Sequence, residues 1–457
     1  MAVDSLPDWL HQRAQSTPER VALEADGLSC TFAELDARVD RAANLLHLRG
    51  MAAGDHVGML APNSPAYVLA VHALMRLGAV LVPLNTRLSA AEIDWQQKDA
   101  ELRHLLDADS VQALWDAPPA PAAEPRLFDM DAPHSIIYTS GTTGRPKGAV
   151  LTYGNHWWSA IASALNLGLH ADDCWLVCLP LFHVGGLSIV FKGVLYGMRA
   201  LVEPRFDAAR VNAAIESRGV TMVSVVSAML ERMLDDRQGR RYPPTLRCVL
   251  LGGGPAPLPL LERALALGAP VVQTYGLTET ASQVVTLAPE DARRKVGSAG
   301  KPLLGTRLRI TADGEICVLG PSVSPGYLHH APRDGWLQTG DLGYLDEEGY
   351  LYVLDRRDDL IVSGGENVYP AEVESALLSH PSVTQAGVFS LPDPDWGRVP
   401  AAAVVLAPGA NVSAEDLRAF CRTRLAAYKV PREIVFRADL PRTASGKLLR
   451  RALSLHP

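Results

Sequence analysis

The sequence predicts an α/β protein with a large N-terminal domain of parallel-type sheets and helices, a β-rich subdomain within it, and a small α+β C-terminal domain on a hinge. Three observations lead to this fold class. Apolar strands alternate with helices before residue 296, as parallel sheets with crossover helices require. Short strands and glycine turns follow, and the last hundred or so residues have a small α+β pattern of their own.

The length and composition agree with this division. A chain of 457 residues is too long for one ordinary domain, and 48% hydrophobic with 20% charged residues is typical of a soluble globular protein. We predict an N-terminal domain over 1–355, which contains the β-rich subdomain at about 296–355, and a C-terminal domain over 356–457.

The first elements follow from apolar spacing. Leu35–Leu48 and Pro65–Leu77 have helical periodicity, whereas Val57–Leu60 and Ala79–Val82 are short apolar strands. Asp116–Pro125 is rich in proline and alanine without periodicity, so it is predicted to be a surface connector.

The later elements continue the pattern. Strands are predicted at Trp175–Leu179, Ala200–Val202, Val223–Val226, Cys248–Leu251 and Val271–Gln273, with helices between them. The β-rich subdomain is predicted to contain strands Arg307–Ile310, Gly314–Leu319 and Tyr350–Leu354. The C-terminal domain is predicted to contain helices Pro370–His380 and Ala414–Leu425 and strands Gly387–Ser390 and Ala401–Leu406.

Charge and apolar runs exclude some partners. The net charge is −7, from 43 Lys and Arg against 50 Asp and Glu, which disfavours a nucleic-acid partner. No apolar run reaches the roughly 18 residues that span a bilayer, and the first residues lack a signal-peptide pattern, so a cytoplasmic protein without a membrane span is expected. The six scattered cysteines lack metal-ligand spacing and are predicted to be reduced structural thiols.

The most informative segment is the glycine-rich loop Thr139–Gly148, which follows the apolar strand end Ile136–Tyr138. Its glycines let successive backbone N–H groups turn inward, its hydroxyls add donors, and Lys147 supplies a positive charge, so it is predicted to bind phosphate. The alternative is a flexible Gly/Ser linker. A P-loop kinase or GTPase is disfavoured because the Gly-Lys-Ser/Thr ending is absent and Pro146 precedes the lysine.

This loop resembles the signature of the adenylate-forming superfamily of acyl-CoA synthetases, nonribosomal adenylation domains and luciferases. Further segments resemble that superfamily in the same order: Leu179–Gly186, Tyr275–Thr280, Thr339–Asp341 with Asp355-Arg356, and Pro441–Lys447. The resemblance spans nearly the whole chain. It implies ATP and Mg²⁺ at the site, a small carboxylic acid as substrate and coenzyme A as co-substrate.

The resemblance also implies the nucleotide contacts. Tyr275 is expected to stack on adenine, Thr278 to contact the α-phosphate, Glu279 to hold Mg²⁺ and Asp341 to accept the ribose hydroxyls with help from Arg356. The full set of expected cofactor-binding residues is Thr139, Ser140, Gly141, Thr142, Thr143, Lys147, Gly252, Gly253, Gly254, Thr274, Tyr275, Gly276, Asp341, Arg356, Gly364 and Gly365. Of these, Gly364 and Gly365 are expected to line the channel for the pantetheine arm of coenzyme A. The residues alone leave an alternative for each of these motifs. Thr278 and Glu279 also fit a capped helix N-terminus. Asp341 also fits a surface turn, and Gly252–Gly254 also fit a tight β-to-α turn.

Catalytic roles implied by the resemblance fall on Lys447, His183, Thr278 and Glu279. Lys447 is expected to stabilise charge on the carboxylate and the α-phosphate, although a lysine in a polar tail is usually solvated. Asp358 is the expected hinge residue, in a charged segment that otherwise fits a solvated spacer.

The acid is expected to contact His183, Lys192, Ser227, Gly276, Thr280 and Gln283. Lys192 interrupts the apolar helical stretch Leu187–Tyr196, and burying an ammonium group is costly unless an anion meets it. A lysine that extends to solvent from the helix edge is the alternative.

Longer runs resemble the family of o-succinylbenzoate–CoA ligases of menaquinone biosynthesis. These runs are Leu151–Trp157, Leu165–Leu169, Ser224–Ser227, Leu250–Pro257 and Leu354–Ile361. A substrate with two carboxylates explains Lys192: one carboxylate is adenylated while the other is held by this cation, Ser227 and Gln283.

Two segments are shorter than the family pattern, between Ile310 and Gly314 and between Tyr327 and Trp336. Both are expected to lie away from the motifs.

The implied reaction has two half-reactions, formation of an acyl-adenylate and its transfer to coenzyme A. Another aryl or acyl acid, a carrier-protein acceptor, a luciferase-like oxygenase and a non-catalytic nucleotide binder stay open, as does a homo-oligomer. The joint presence of Lys147, Glu279, Asp341, Arg356 and Lys447 disfavours the non-catalytic binder, which has no need of the last lysine.

Overall fold

A computed structural model describes residues 5–119, 126–139, 146–254, 256–363, 366–394, 396–442 and 448–454. Several predicted site residues lie outside the described residues: Ser140, Gly141, Thr142, Thr143, Gly364, Gly365 and Lys447. The same holds for residues 120–125 of the predicted connector and for the side chain of Asp358.

The helices are bounded as follows: α1 Trp9–Ser16, α2 Phe32–Leu48, α3 Pro65–Leu77, α4 Ala90–Asp99, α5 Ala108–Trp115, α6 Tyr153–Leu167, α7 Val184–Tyr196, α8 Ala208–Ser217, α9 Ser227–Arg237, α10 Leu258–Ala266, α11 Pro370–Leu378 and α12 Ala414–Arg422. Helix α3 begins and ends where the sequence predicts. The Ser64 side chain caps its first turn, Pro65 fits that turn, and Gly78 ends it with φ 74°, a left-handed conformation that suits glycine.

The strands are β1 Ser5–Pro7, β2 Val21–Ala25, β3 Leu28–Thr31, β4 His56–Leu60, β5 Val80–Pro83, β6 His104–Asp107, β7 Leu127–Asp129, β8 Pro133–Thr139, β9 Lys147–Thr152, β10 Cys174–Val177, β11 Arg199–Val202, β12 Met222–Val225, β13 Cys248–Leu251, β14 Val271–Leu277, β15 Ser282–Thr286, β16 Lys301–Pro302, β17 Arg307–Ile310, β18 Glu315–Leu319, β19 Gly326–Tyr327, β20 Leu337–Leu345, β21 Leu351–Arg356, β22 Ile361–Ser363, β23 Glu366–Val368, β24 Val383–Asp393, β25 Gly397–Leu406 and β26 Glu433–Phe436.

Two sheets form the body of the N-terminal domain. The larger has nine strands in the order β16-β15-β14-β13-β12-β10-β11-β2-β3, and its strands from β14 to β2 are parallel. The second has six strands in the order β19-β9-β8-β5-β4-β6, with β8, β5, β4 and β6 parallel. Helices such as α2, α3 and α7 contribute buried apolar side chains to one extended core, so the predicted α/β alternation is confirmed.

The predicted β-rich region contributes strands to more than one sheet. Its core is a four-stranded antiparallel sheet in the order β17-β18-β20-β21. Two short strands within 296–355 instead extend the large sheets, since β16 pairs with β15 and β19 pairs with β9. The pairing with β9 brings β19 close to Lys147, at the end of the glycine-rich loop.

The C-terminal domain has its own sheet, in which β23, β22, β25 and β24 are antiparallel neighbours and β26 pairs with β25 in parallel. Helices α11 and α12 pack with it around a separate apolar core. Both helices end two or three residues before the predicted positions.

Two further expectations are tested by the described residues. All six cysteines are buried and free, as predicted for structural thiols. Within those residues no helix is both long and apolar enough to cross a membrane.

Candidate functional site

The Tyr275–Thr280 motif forms a strand and a tight turn. Strand β14 runs through Leu277, four residues beyond its predicted end, because it pairs with β15 as an antiparallel hairpin. Thr278–Thr280 form a single 3₁₀ turn, and Ala281 and Ser282 follow with φ 50° and φ 101°. The alternative of a helix N-terminus at Thr278 is therefore wrong, since the chain reverses into a strand instead.

Gly276 lies where the two strands of this hairpin approach most closely. A side chain at this position would overlap the carbonyl oxygen of Ser282 and contact the Cα of Gln283 at 3.0 Å. Gly276 pairs in register with Gln283, one pair before Leu277 and Ser282, which flank the turn. The hairpin thus needs glycine for close backbone packing.

A carboxylate and a phenol meet beside the hairpin. The Tyr275 hydroxyl donates to Asp341 Oδ2 at 2.7 Å, and Arg356 Nε lies 2.9 Å from Asp341 Oδ1. Asp341 and Arg356 are partners in the register of β20 and β21. Burial and the adjacent Asp341 charge hold the pKa of Tyr275 well above its usual value, so its hydroxyl stays protonated.

Glu279 has a partner that the sequence did not predict. The Tyr327 hydroxyl donates to Glu279 Oε1 at 2.7 Å, and Lys147 Nζ lies 5.5 Å from the centroid of the Tyr327 ring. Strand β19 carries Tyr327 to the edge of β9, which begins at Lys147. The short segment between Tyr327 and Trp336 was expected to lie away from the motifs. That expectation is wrong at the start of the segment, because Tyr327 contacts both Glu279 and Lys147.

The ends of the glycine-rich loop are held together. Thr139 ends β8 and Lys147 begins β9, and these residues are antiparallel partners. The Thr139 hydroxyl donates to the Lys147 carbonyl oxygen at 3.4 Å. The connecting residues 140–145 are outside the described residues.

The triple glycine follows β13, at the carboxyl edge of the parallel strands. Gly253 has φ 84°, and a side chain at Gly252 would come within 2.8 Å of Thr274 Cγ2. The Thr274 hydroxyl hydrogen-bonds to Val285 O at 3.1 Å and to the Thr286 hydroxyl at 2.8 Å. A tight turn and a close backbone surface therefore coexist here, at the edge where open α/β sheets bind ligands.

Lys192 is buried on α7 and does not extend to solvent. Its residue exposure is 2%, and Nζ donates to Gln283 Oε1 at 2.6 Å. The ammonium also lies 5.1 Å from the centroid of the Trp175 ring. Burial lowers the pKa of Lys192 to about 7, because no carboxylate among the described residues pairs with it.

A small polar cluster surrounds this lysine. Ser163 on α6 donates to Gln283 Oε1 at 2.8 Å, while Gln283 Nε2 donates to Thr286 Oγ1 at 3.1 Å. Sequence patterns missed Ser163 and Thr286, because neither belongs to a motif and only the hairpin register and the packing of α6 bring them together. The cluster connects Lys192 to Gly276 through Gln283.

Three other predicted acid contacts lie on different elements. His183 precedes α7 as its N-cap residue, and Ser227 begins α9 directly after β12. Thr280 is fully buried, and its hydroxyl accepts from Leu277 N at 2.8 Å and lies 3.0 Å from Leu277 O and Ser282 O. Its hydrogen bonds are thus made within the turn.

The segment that joins the domains carries a buried ion network. Asp355 accepts from Ala371 N at 2.8 Å and from Arg450 Nη1 at 2.6 Å. Arg450 also pairs with Glu374 at 2.7 Å and with Asp359 at 3.0 Å. These contacts tie the last strand of the four-stranded sheet to the C-terminal domain.

Comparison with known proteins places this geometry in a family. The model of the AMP-binding enzyme family matches residues 10–328, and that of the AMP-binding enzyme C-terminal domain matches residues 372–447. The chain is 49% identical to the 2-succinylbenzoate–CoA ligase of Bacillus mycoides (strain KBAB4), over 99% of this chain and 98% of that protein.

Solved structures agree. The o-succinylbenzoate CoA synthetase of Bacillus subtilis in complex with its acyl-adenylate intermediate is 47% identical and superposes with a TM-score of 0.91, with 98% of each chain covered. The same enzyme with ATP and magnesium is 46% identical with a TM-score of 0.90, covering 98% of this chain and 99% of that one. With both family models matched and near-complete coverage at this identity, the chain belongs to the AMP-binding enzyme family.

Proposed function

We propose that this chain is a 2-succinylbenzoate–CoA ligase that uses ATP to activate the acid and coenzyme A to accept it, within menaquinone biosynthesis. Near-complete alignment with ligases and synthetases of that name supports the reaction. The observation that carries the choice of acid is the buried ammonium of Lys192. A lone buried cation is costly, so its retention favours a substrate that brings an anion to it.

The second carboxylate of the diacid is proposed to bind Lys192 and Gln283. Gln283 Oε1 already holds the ammonium at 2.6 Å, so the cation is oriented before the acid arrives. Ser227 and His183 are proposed to line the rest of the acid pocket, with Gly276 and Thr280 at the turn between the acid and the nucleotide. An anion beside Lys192 also favours its charged form.

The nucleotide is proposed to lie along the β14–β15 hairpin. Gly252, Gly253, Gly254 and Thr274 give a close backbone surface for adenine, on which Tyr275 stacks. Asp341, oriented by Tyr275 and Arg356, is proposed to accept the ribose hydroxyls. Gly364 and Gly365 are proposed to line the channel for the pantetheine arm of coenzyme A.

The phosphates are proposed to bind between the glycine-rich loop and Glu279. Thr139, Ser140, Gly141, Thr142, Thr143 and Lys147 supply donors and positive charge, and Thr278 contacts the α-phosphate. Glu279 offers the hard carboxylate oxygen that Mg²⁺ prefers, and the ion, when bound, neutralises phosphate charge. Tyr327 holds one Glu279 oxygen, which fixes the direction of the other.

The proposed reaction has two steps. A carboxylate oxygen attacks the α-phosphorus, an O–P bond forms, and the bond to pyrophosphate breaks, with Lys447 proposed to stabilise the developing charge. The coenzyme A sulfur then attacks the acyl carbon, a thioester bond forms and AMP leaves with the acyl C–O electron pair. Rotation at Asp358 is proposed to exchange the C-terminal surfaces between the two steps.

The test is acid-dependent ATP–pyrophosphate exchange with a panel of acids. We expect o-succinylbenzoate to support exchange at least tenfold better, in kcat/KM, than benzoate or a fatty acid, since one charged hydrogen bond contributes about 1.5–3 kcal/mol. Exchange with benzoate as good as with the diacid would contradict the proposed acid. If none of the acids supported exchange, the ligase reaction itself would be contradicted.

A further inference from the structure

The segment that follows β19 folds back on itself and returns Arg333 to the start of that strand. Leu328 N donates to Gly148 O at 2.8 Å, so the segment starts against the end of the glycine-rich loop. His330 N donates to Tyr327 O at 3.1 Å, and Arg333 N donates to Pro325 O at 2.6 Å. These bonds close a short turn that returns Arg333 to the position where β19 began.

This turn contains backbone conformations that few residues adopt. His329 adopts φ 62°, a left-handed conformation, and its Nε2 lies 2.7 Å from Asp99 O. Gly326 has φ 150°, a backbone conformation that residues with a side chain rarely adopt.

The guanidinium of Arg333 has an unused donor. Its Nε is buried and has no hydrogen-bond partner within the described part of the chain. No described carboxylate forms an ion pair with Arg333 either, although Arg356 and Arg357, which follow the subdomain, have such partners. A donor atom that is removed from water without an acceptor is costly, which favours a ligand that brings an acceptor to this half-buried guanidinium.

The neighbours of Arg333 belong to the proposed phosphate site. Burial lowers the pKa of Arg333, while the nearby Tyr327 and Glu279 act in the opposite direction. Tyr327 holds Glu279 by its hydroxyl and has Lys147 over its ring. Arg333 and Lys147 are therefore two cations that share the surroundings of one tyrosine and one glutamate.

We propose that Arg333 is a second phosphate-binding cation, which contacts the β- and γ-phosphates of ATP and the pyrophosphate that leaves. The inference rests on the proposed function, because it needs ATP at the Glu279 site. A guanidinium presents paired N–H donors that match phosphate oxygens, whereas Lys147 acts as a point charge. Arg333 thereby selects the triphosphate over the monophosphate.

The test compares binding of ATP, pyrophosphate and AMP to Arg333→Ala and Arg333→Lys. Titration calorimetry with a non-hydrolysable Mg-ATP analogue and with pyrophosphate is expected to show affinities about 10- to 100-fold weaker in Arg333→Ala, the range of a charged hydrogen bond. Affinity for AMP should stay within about twofold. Arg333→Lys should recover part of the loss because the charge remains.

Arg309→Ala is the matched control, since Arg309 lies 4.5 Å from the Trp336 ring in the same subdomain and does not border Glu279. It should leave all three affinities unchanged. Equal losses for AMP and ATP in Arg333→Ala, or no loss for either, would overturn the inference. Failure of the proposed function is distinguishable, because wild-type protein would then bind the nucleotides yet form no acyl-adenylate.

Discussion

At the scale of single residues, the buried ammonium of Lys192 is the observation on which the proposed acid site depends. The group is buried against Trp175 and Gln283, and its described hydrogen-bond acceptor is a neutral amide oxygen. A neutral acceptor compensates only part of the desolvation of a cation, and the lowered pKa is the consequence. The site is thus prepared for an anion.

Lys192→Met tests this role. The change keeps the length of the side chain but removes the charge, and we expect kcat/KM for o-succinylbenzoate to fall about 30- to 150-fold, or about 2–3 kcal/mol, since a charged hydrogen bond is lost. The value for benzoate should change by less than about threefold. Lys98→Met, at an exposed ion pair on α4, is the control and should behave as wild type. Equal losses for both acids would count against Lys192 as the residue that selects the diacid.

The pH dependence follows from the pKa of Lys192, which burial lowers to about 7. Only the protonated amine attracts the second carboxylate, and this form is lost as pH rises through that value. The ratio of kcat/KM for o-succinylbenzoate to that for benzoate should therefore be constant below about pH 7. Above that pH the ratio should decrease, and the decrease should approach tenfold for each pH unit. The ratio is used because it cancels the effect of any other titrating group that changes kcat/KM equally for both acids. A ratio that is level from pH 6 to 9 in the wild type would contradict this role, and Lys192→Met should give such a level ratio.

At the scale of elements, the β14–β15 hairpin positions the nucleotide motif, and it depends on Gly276. Gly276→Ala would place a methyl group against the Ser282 carbonyl, so the strands must separate. We expect a destabilisation of about 1–3 kcal/mol from overpacking, together with loss of ATP–pyrophosphate exchange. Gly193→Ala on α7 is the control, since its added methyl meets Ala200 Cβ at an ordinary 3.8 Å. A fully active Gly276→Ala variant would contradict the hairpin geometry.

The ion network of Arg450 gives a second prediction at this scale. Arg450→Met leaves Asp355 and Glu374 buried without their cation, and removal of one partner from a buried pair costs about 3–5 kcal/mol. We expect urea to unfold the C-terminal domain of the variant at a lower concentration than in the wild type. Arg451→Met, at the exposed neighbouring position, should unfold as the wild type does. Identical midpoints for the two variants would rule out a stabilising role for the network.

The ends of the helices and strands show which features the sequence could predict. Helix α3 was predicted to the residue because Ser64, Pro65 and Gly78 mark its ends locally. The length of β14 was not, because its last residues are held by pairing with β15, a contact that apolar periodicity does not encode. The same reason applies to β19: two residues carry no strand pattern, yet their pairing with β9 brings Tyr327 to Glu279.

At the scale of the whole molecule, the candidate site draws residues from three sheets. The glycine-rich loop joins two strands of the six-stranded sheet, Glu279 follows a strand of the nine-stranded sheet, and Asp341 comes from the four-stranded sheet. Motif order along the chain predicted the members of this site through their family resemblance. Ser163 and Tyr327 could not be predicted in this way, because their contacts arise only when elements distant in sequence pack together.

The most direct test of the central claim is product formation from o-succinylbenzoate, ATP, Mg²⁺ and coenzyme A by the full chain. We expect the o-succinylbenzoyl thioester of coenzyme A to accumulate with one AMP and one pyrophosphate for each thioester formed. Omission of coenzyme A should stop thioester formation but leave acid-dependent pyrophosphate exchange. A thioester with another acid but none with o-succinylbenzoate, or release of ADP in place of AMP, would contradict the account.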